Sequence, residues 1–296
     1  MSGQLKEVRE RIKSVKSTQQ ITKAMKMVSA AKLRKAQQAI VQMRPYANKQ
    51  NSMLANILSS LDGDASTAFG QHRPVENVLV VIVTSNRGLC GAFNTNVIKS
   101  ALANIEAKYS HLLESGKLTF LCIGKRGHDF VRRRYADSPI IEDYVTLFDN
   151  LTFDNVASVA RELMDRFEDK TFDAIDVSYG RFKNAAMQYP ETESFLPVAK
   201  MEKQEGDNSR ADYIFEPDKT SLLEHLVPSI LQTSFYKYLL DTHASEHGAR
   251  MTAMDKASEN AEEMLRDLKI TYNKARQEAI TKELSEIVGG AAALES

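Results

Sequence analysis

The sixty-one residues from Pro228 to Val288 contain no helix breaker other than Pro228 itself and Gly248. That continuity constrains the fold more than any other stretch, because an α-helix of this length runs to roughly 90 Å, far beyond an ordinary globular helix. Its later part, RMTAMDKASENAEEMLRDLKITYNKARQEAITKELSEIV, places Met254, Ala257, Ala261, Met264, Leu268, Thr271 and Ala275 at alternating steps of three and four. Such spacing is the seam of a left-handed coiled coil. A helix this long needs a companion along its length, since helical stability in water comes mostly from packing an apolar face.

The companion is predicted at the other end of the chain. Leu5, Val8, Ile12 and Val15, then Ile21, Met25 and Val28, fall on one helical stripe with Lys and Arg on the other faces. Helix formers continue through AAKLRKAQQAIVQM, and Pro45 is expected to kink the helix or free one carbonyl rather than end it. Leu61-Asp62-Gly63 reads as a stop. Two long helices at opposite ends of one chain pair most simply as an antiparallel coiled coil. The seam is rich in Ala, Met, Thr and Ser, which bury less area than leucine at about 25 cal/mol per Å². The result is a thin coil that works inside a surrounding structure.

Between the helices the pattern changes. Residues 64–75 form a polar linker, and 77–84 (NVLVVIVT) is a β-branched run of the kind that is buried on both sheet faces. A turn at SNRGLCGAFN leads to a helix over 95–113, a strand at 118–123, and a short helix in GKRGHDFVRRRY. A third strand over 140–145, a helix over 155–168 and a strand at 174–182 follow. Residues 188–197 alternate and carry Pro190, which assigns an edge strand. MEKQEGDNSRAD is a polar loop leading back to the C-terminal helix. The fold class is therefore α/β: a long antiparallel coiled coil of N- and C-terminal helices plus a small Rossmann-like α/β domain. The boundaries are 1–61 for the N-terminal helix, 62–220 for the body and 221–296 for the C-terminal helix.

Net charge is zero but unevenly spread. Residues 1–61 hold twelve Lys/Arg against Glu7 and Glu10, a balance of +10, whereas 62–227 carry 19 basic and 26 acidic residues, or −7. A basic helix points to an acidic partner. No apolar run reaches the ~20 residues needed to span a bilayer. The opening MSGQLKEVRERIKSV lacks the apolar block of a secretory signal, and its amphipathic pattern continues past residue 40, so it is read as mature structure and not as a transit peptide. Cys90 and Cys122 stand far apart, so a disulfide is not expected and a reducing setting fits.

Three motifs invite chemistry. Ser85-Asn86-Arg87-Gly88-Leu89-Cys90-Gly91 follows the first strand, where an α/β fold would hold a phosphate. Its glycines have G-x-x-G spacing and no acidic ribose partner is evident, so a tightly packed turn is favoured. Gly124-Lys125 lacks the other fixed residues of a phosphate loop, with Thr119 five residues before the glycine and Arg126 after the lysine. His243-Ala244-Ser245-Glu246-His247 matches the zinc-protease pattern H-x-x-E-H, with two His on one helix face and Glu246 as base. No third ligand is identifiable, and a polar face of the coiled coil is favoured. The basic N-terminal face also admits nucleic acid, but no aromatic lies between residues 1 and 45 to stack bases, so no nucleic-acid partner is expected. No catalytic residue, metal ligand or cofactor is assigned.

The segments SVKSTQQITKAMKMVSAAKLRKA and RPYA, then SNRGLCGAFN, then ASEHGARMTAMDKASENAEEML and YNKARQEAITKELSEIVGGAAAL, closely resemble the gamma subunit of F-type ATP synthases. The likeness runs in the family's order over nearly the whole chain and is loose only over 130–220. It implies a central rotor shaft, non-catalytic itself, whose coiled coil lies in the axis of a ring of three alpha and three beta subunits. The α/β body would sit on the epsilon subunit and the membrane c-ring, so membrane association is only through the complex. Proton-driven rotation would present different faces of the shaft to each catalytic beta site, changing its affinity for nucleotide.

By the same resemblance, the segment around Met25 and residues Arg276, Gln277 and Thr281 lie where the shaft meets loops of the beta subunits. The family's acidic lever loop would suit the basic helix and its Lys23 and Lys26. The terminal Gly289-Gly290-Ala291-Ala292-Ala293-Leu294 reads as a helix stop and a small apolar tip, with Leu294 turning in an apolar bearing. The close cysteine pair of the chloroplast branch is absent, so thiol control is not expected, and a bacterial enzyme on the cytoplasmic face of the inner membrane is the expected setting. A coiled-coil regulatory protein with a nucleotide-binding α/β body is the alternative, and a zinc hydrolase a distant third.

Overall fold

The structure, a computed structural model, describes residues 2–59, 68–70, 73–198 and 219–294. The stop at Leu61–Gly63 and the loop at 201–212 lie outside the described residues. Two helices dominate: α1 (Ser2–Ser59) at the start and α6 (Lys219–Leu294) at the end. Helix α1 passes Pro45 without ending, as the residues after it predict. Helix α6 extends past the unbroken Pro228–Val288 run at both ends. It begins nine residues before Pro228 and runs through Gly289 and Gly290, so neither the proline nor the glycine pair bounds it. Those glycines have open space around them, and the helix costs them only their own propensity, about 1 kcal/mol each.

Between the two helices lie β1 (Val78–Val83), α2 (Phe93–Lys108), α3 (Ser110–Glu114), β2 (Leu118–Ile123), α4 (Lys125–Arg134), β3 (Ile140–Ile141), α5 (Phe153–Glu168), β4 (Ala174–Phe182) and β5 (Gln188–Leu196). The sheet order is β3-β2-β1-β4-β5. The first four strands are parallel and β5 closes one edge antiparallel to β4, at the place its proline and alternation predict. Two readings differ in detail. The helix expected over 95–113 breaks at Tyr109 into α2 and α3, and the third strand is only two residues long before the chain turns away.

Period-two alternation divides the core. Leu79, Val81 and Val83 of β1 join Leu121, Ile175 and Val177 against α5, whose Val156, Val159, Ala160 and Leu163 form its inner stripe. Residues Val78, Val80 and Ile82 face the opposite way, against Ile98, Ala101 and Ile105 of α2 and Val131 of α4. Helix α6 contributes Val227, Leu231, Phe235 and Leu239 to the α5 side. Thr152 caps α5 by accepting the Asn155 N–H at 3.4 Å. Burial pushes the Cys122 thiol up to about 12, and both cysteines are free and buried.

The chain forms two compact units: Met1–Ser29 with Arg250–Ser296, and Ala30–Ala249. The second contains the sheet. Within it α1 and α6 also pair, with the Gln50 side-chain amide donating to Ser229 Oγ at 2.8 Å and to Tyr46 Oη at 3.0 Å.

Gly124 holds the ends of β1 and β2 together. Its φ is +100°, and a Cβ there would sit 2.0 Å from the Thr84 carbonyl oxygen. Gly124→Ala is therefore expected to cost about 2–4 kcal/mol through backbone strain and a clash with main chain. Urea unfolding of the full chain measures this, and a loss below about 0.5 kcal/mol would show that the two strand ends yield.

Candidate functional site

In the first unit the two helices run antiparallel, because the α6 partner number falls as the α1 number rises. Arg9 Nη2 donates to Tyr272 Oη at 2.9 Å, Thr22 and Ser258 share a hydrogen bond of 2.7 Å, and Lys26 Nζ meets Asp255 Oδ1 at 2.5 Å. On α1 the inward positions are Leu5, Val8, Ile12, Val15, Gln19, Thr22, Lys26 and Ser29. On α6 they are Met254, Ser258, Ala261, Leu265, Leu268, Tyr272, Ala275 and Ala279. The sequence-predicted seam is half right. Met254, Ala261, Leu268 and Ala275 hold and Ala257 is half-buried beside the more buried Ser258, but Leu265 and Tyr272 replace Met264 and Thr271. Met264 is 46% exposed. On α1, Ile21 and Val28 point outward and Thr22 and Ser29 take their places inside.

The reason is visible at Thr22 and Ser258, which are 8% and 5% exposed. Each hydroxyl lies near a carbonyl one turn back on its own helix as well as near the other hydroxyl. With one proton apiece, one donates across the interface and the other backward, and both are satisfied. Small hydroxylic residues here let the backbones approach where larger aliphatic ones would hold them apart.

The apolar side chains displaced from the seam lie on the surface. Ile21, Met27 and Val28 are 57%, 67% and 58% exposed. Helix α6 beyond Ala279 has outrun the start of α1, and every residue from Lys282 to Gly290 is exposed. There Ile280, Leu284, Ile287 and Val288 stand at i, i+4, i+7 and i+8, an amphipathic stripe left exposed among the described residues. Such a stripe on a single helix marks a surface that another protein covers.

The sequence-predicted contact residues sort accordingly. Lys23, Arg276, Gln277 and Thr281 are exposed, and Met25 is half-buried at the edge of the seam. Lys26 is tied to Asp255, with both side chains over 40% exposed, so the pair is worth no more than about 1 kcal/mol. Leu294 ends α6, and its side chain lies outside what is described. The outward Ile21, Met27, Val28 and Leu284 are exposed apolar residues that the sequence reading did not single out as surface.

The second unit holds the three motifs. The turn after β1 is closed on itself: the Ser85 N–H donates to Asn94 Oδ1 at 3.0 Å, and Ser85 Oγ to the Arg87 carbonyl at 2.7 Å. A Cβ on Gly88 would lie 2.8 Å from Arg126 Nη2, so the glycine serves close packing. Phe93 and Ser245 crowd Gly180 on β4, and Ser245 Oγ donates to the Gly180 carbonyl. Helix α6 thereby occupies the ends of β1 and β4, where a doubly wound sheet would open a ligand crevice. His243 and His247 bring their Nε2 atoms to 3.1 Å, and His243 stacks on Phe148. Contrary to the polar-face reading, Glu246 and His247 are buried, 7% and 5% exposed. No group of three metal-ligating side chains occurs among the described residues, and none of their helices is long and apolar enough to cross a membrane.

A family model described as ATP synthase matches residues 4–294. The chain is 51% identical over 292 residues to the ATP synthase gamma chain of Cytophaga hutchinsonii, covering 98% of each. It is 53% identical over 291 residues to that of Flavobacterium psychrophilum, again covering 98% of each. Among solved structures, a chain of the Euglena gracilis mitochondrial ATP synthase, from an OSCP/F1/c-ring assembly, superposes with a TM-score of 0.69 at 25% identity, covering 99% of this chain and 95% of that one.

One buried acid in the second unit makes stability depend on pH. Burial pushes the Asp241 carboxyl up to about 6, against the pull of Lys237, Arg44 and Arg181, with Glu193 adding to the rise. The folded chain holds a proton that the unfolded chain releases in the ordinary carboxylate range, so stability falls as pH rises toward about 6. Asp241→Asn is expected to remove that fall, on the order of 2 kcal/mol between about pH 4 and pH 7. Urea unfolding across the range reads it, and an unchanged slope would mean that Asp241 titrates normally.

Proposed function

The chain belongs to the gamma chains of ATP synthase, and from that membership we propose how its surfaces carry out the work of a central rotor shaft. Its partners are the alpha and beta subunits, the epsilon subunit and the c-ring, and it is part of the F1 portion of a membrane-bound ATP synthase. The observation that carries the reading is the bare end of α6. Past Ala279 the helix has no companion in its own chain among the described residues, yet keeps an apolar stripe of Ile280, Leu284, Ile287 and Val288 at 49% to 68% exposure. A sleeve formed by the alpha–beta ring covers such a stripe without directional bonds, so the tip slides where a hydrogen-bonded contact would hold one angle.

The shaft is non-catalytic. Its α/β body keeps the Rossmann-like sheet but fills the ligand crevice with α6, and its phosphate-loop glycine is spent on Thr84. Work passes instead through the outward face of the coil. Lys23, Arg276, Gln277 and Thr281, with Ile21 and Val28 beside them, are the surface that the beta subunits read as the shaft turns. Because this face differs from every other side of the coil, each angle stabilises a different conformation of each beta site, and affinity for ADP, phosphate and ATP changes with rotation. The complex lies on the cytoplasmic face of a bacterial membrane.

Lys23 separates electrostatic coupling from coil stability, because Lys26 also neutralises Asp255. In reconstitution with alpha, beta and epsilon subunits on vesicles carrying the membrane sector, Lys23→Glu is expected to assemble at one copy per complex while ATP-driven proton pumping falls several-fold, as the removal of an attraction worth about 1 kcal/mol implies. Lys26→Glu is expected to lower both assembly and pumping. Normal pumping by the Lys23 variant would remove the electrostatic part of this reading and leave the apolar stripe as the coupling surface.

A further inference from the structure

A cavity of about 440 Å³ opens within the second unit between α1, the end of β4 and α6. Its volume falls in the range of small-molecule sites, roughly 300–1,000 Å³. Arg44 enters from α1 and Lys237 from α6, and neither makes a hydrogen bond or ion pair among the described residues. Arg181 at the end of β4 is engaged elsewhere, its Nε on Glu191 at 2.9 Å and its guanidinium over the Tyr189 ring. Two cations without a hydrogen bond or close ion pair among the described residues thus flank one buried carboxyl, Asp241, outnumber it, and leave a local field that favours an anion.

A second observation points to more than a bare ion. Gln50 lines the same cavity and is 5% exposed, and its Oε1 has no hydrogen-bond donor. The other end of that amide is fully used on Tyr46 and Ser229. That Oε1 has almost no accessible surface, so the unmatched acceptor open to a ligand is on the facing helix; a buried acceptor left unmatched costs about 1–3 kcal/mol, which a donor brought by a ligand removes. Asp241, 6% exposed and without a hydrogen-bond donor among the described residues, is that acceptor, while Ile40, Phe182 and Ile230 give apolar support for a carbon skeleton.

We propose that this cavity binds a small phosphate monoester bearing hydroxyl groups, its phosphate held by Arg44 and Lys237 and its hydroxyls donating to Asp241. Binding would tie α1 to α6 beside the sheet, at a place the rotor reading does not use. The groups facing the phosphate are Arg44 of α1, Arg181 of β4, and Lys237 and Asp241 of α6, with Glu193 of β5 acting on Asp241 from behind. Asp241 opposes the anion when ionised, so the site takes the phosphate best with that carboxyl protonated or donated to by a hydroxyl.

The test is calorimetric titration of the full chain, alone and assembled with its partner subunits, with ribose 5-phosphate, inorganic phosphate and ribose as probes. Saturable binding of ribose 5-phosphate, tighter than inorganic phosphate and absent for ribose, is expected. An Arg44→Ala/Lys237→Ala variant with unchanged circular dichroism and thermal midpoint should weaken it about tenfold or more, as loss of charge-assisted hydrogen bonds does. Equal binding of inorganic phosphate and the ester overturns the role of Asp241 and the hydroxyls. No saturation, binding that the double variant keeps, or binding abolished on assembly because another subunit covers the cavity, overturns the site itself.

Discussion

The structure depends on one helix meeting three different surroundings in turn. From Val227 to His247, α6 is buried over most of its circumference, with Phe235 and Leu239 in the sheet core and Thr242 and Ser245 bonded to the backbone of Gly180. From Met254 to Ala279 only one seam is covered. Beyond that no side is covered up to Gly290. Burial of apolar area is the main favourable term in folding, so these three stretches differ in what holds them. The sheet fixes the first, α1 fixes the second, and the last keeps an exposed apolar stripe.

The seam explains why the coil is suited to a shaft. Its most buried residues are Met254 and four that are small or hydroxylic: Ser29, Thr22, Ser258 and Ala261. Such residues let two backbones lie close, and the hydrogen bond between Thr22 and Ser258 specifies alignment where aliphatic packing alone would tolerate slippage. Ile21, Met27, Val28 and Met264 stay outside, so the same sequence that makes a thin coil also gives it an apolar surface. Ile21 and Val28 add nothing to the chain's own core, and their exposure has a physical rationale only if a partner takes them up.

Chemistry has been displaced from the α/β body in a similar way. The turn after β1 has the position of a phosphate site, but Ser85 and Asn94 satisfy each other there, and α6 blocks the crevice. Gly124 serves the close approach of two strand ends. The H-x-x-E-H stretch is inside the protein, where its two imidazoles face each other and a phenylalanine. Each of these motifs has the residues of a site and the surroundings of a core.

Much of this was legible in the residues: two long helices, a parallel sheet with an antiparallel proline-bearing edge, strands at Leu118–Ile123 and Ala174–Phe182, and the family likeness in the terminal blocks. These features rest on local rules, namely unbroken helical period, β-branched runs and turn residues, that act within a few neighbours. Tertiary structure decided which side of each helix is the inside. Ala257 and Ser258 differ by one step on a period of about 3.6 residues, and both lie close enough to the seam to satisfy the apolar pattern. Only Thr22 and Tyr272 meeting their partners across the interface selects Ser258, Leu265 and Tyr272. The burial of His247 and the gathering of Arg44, Lys237 and Gln50 around one cavity are likewise long-range: the residues lie roughly two hundred positions apart in the chain, and only packing brings them together.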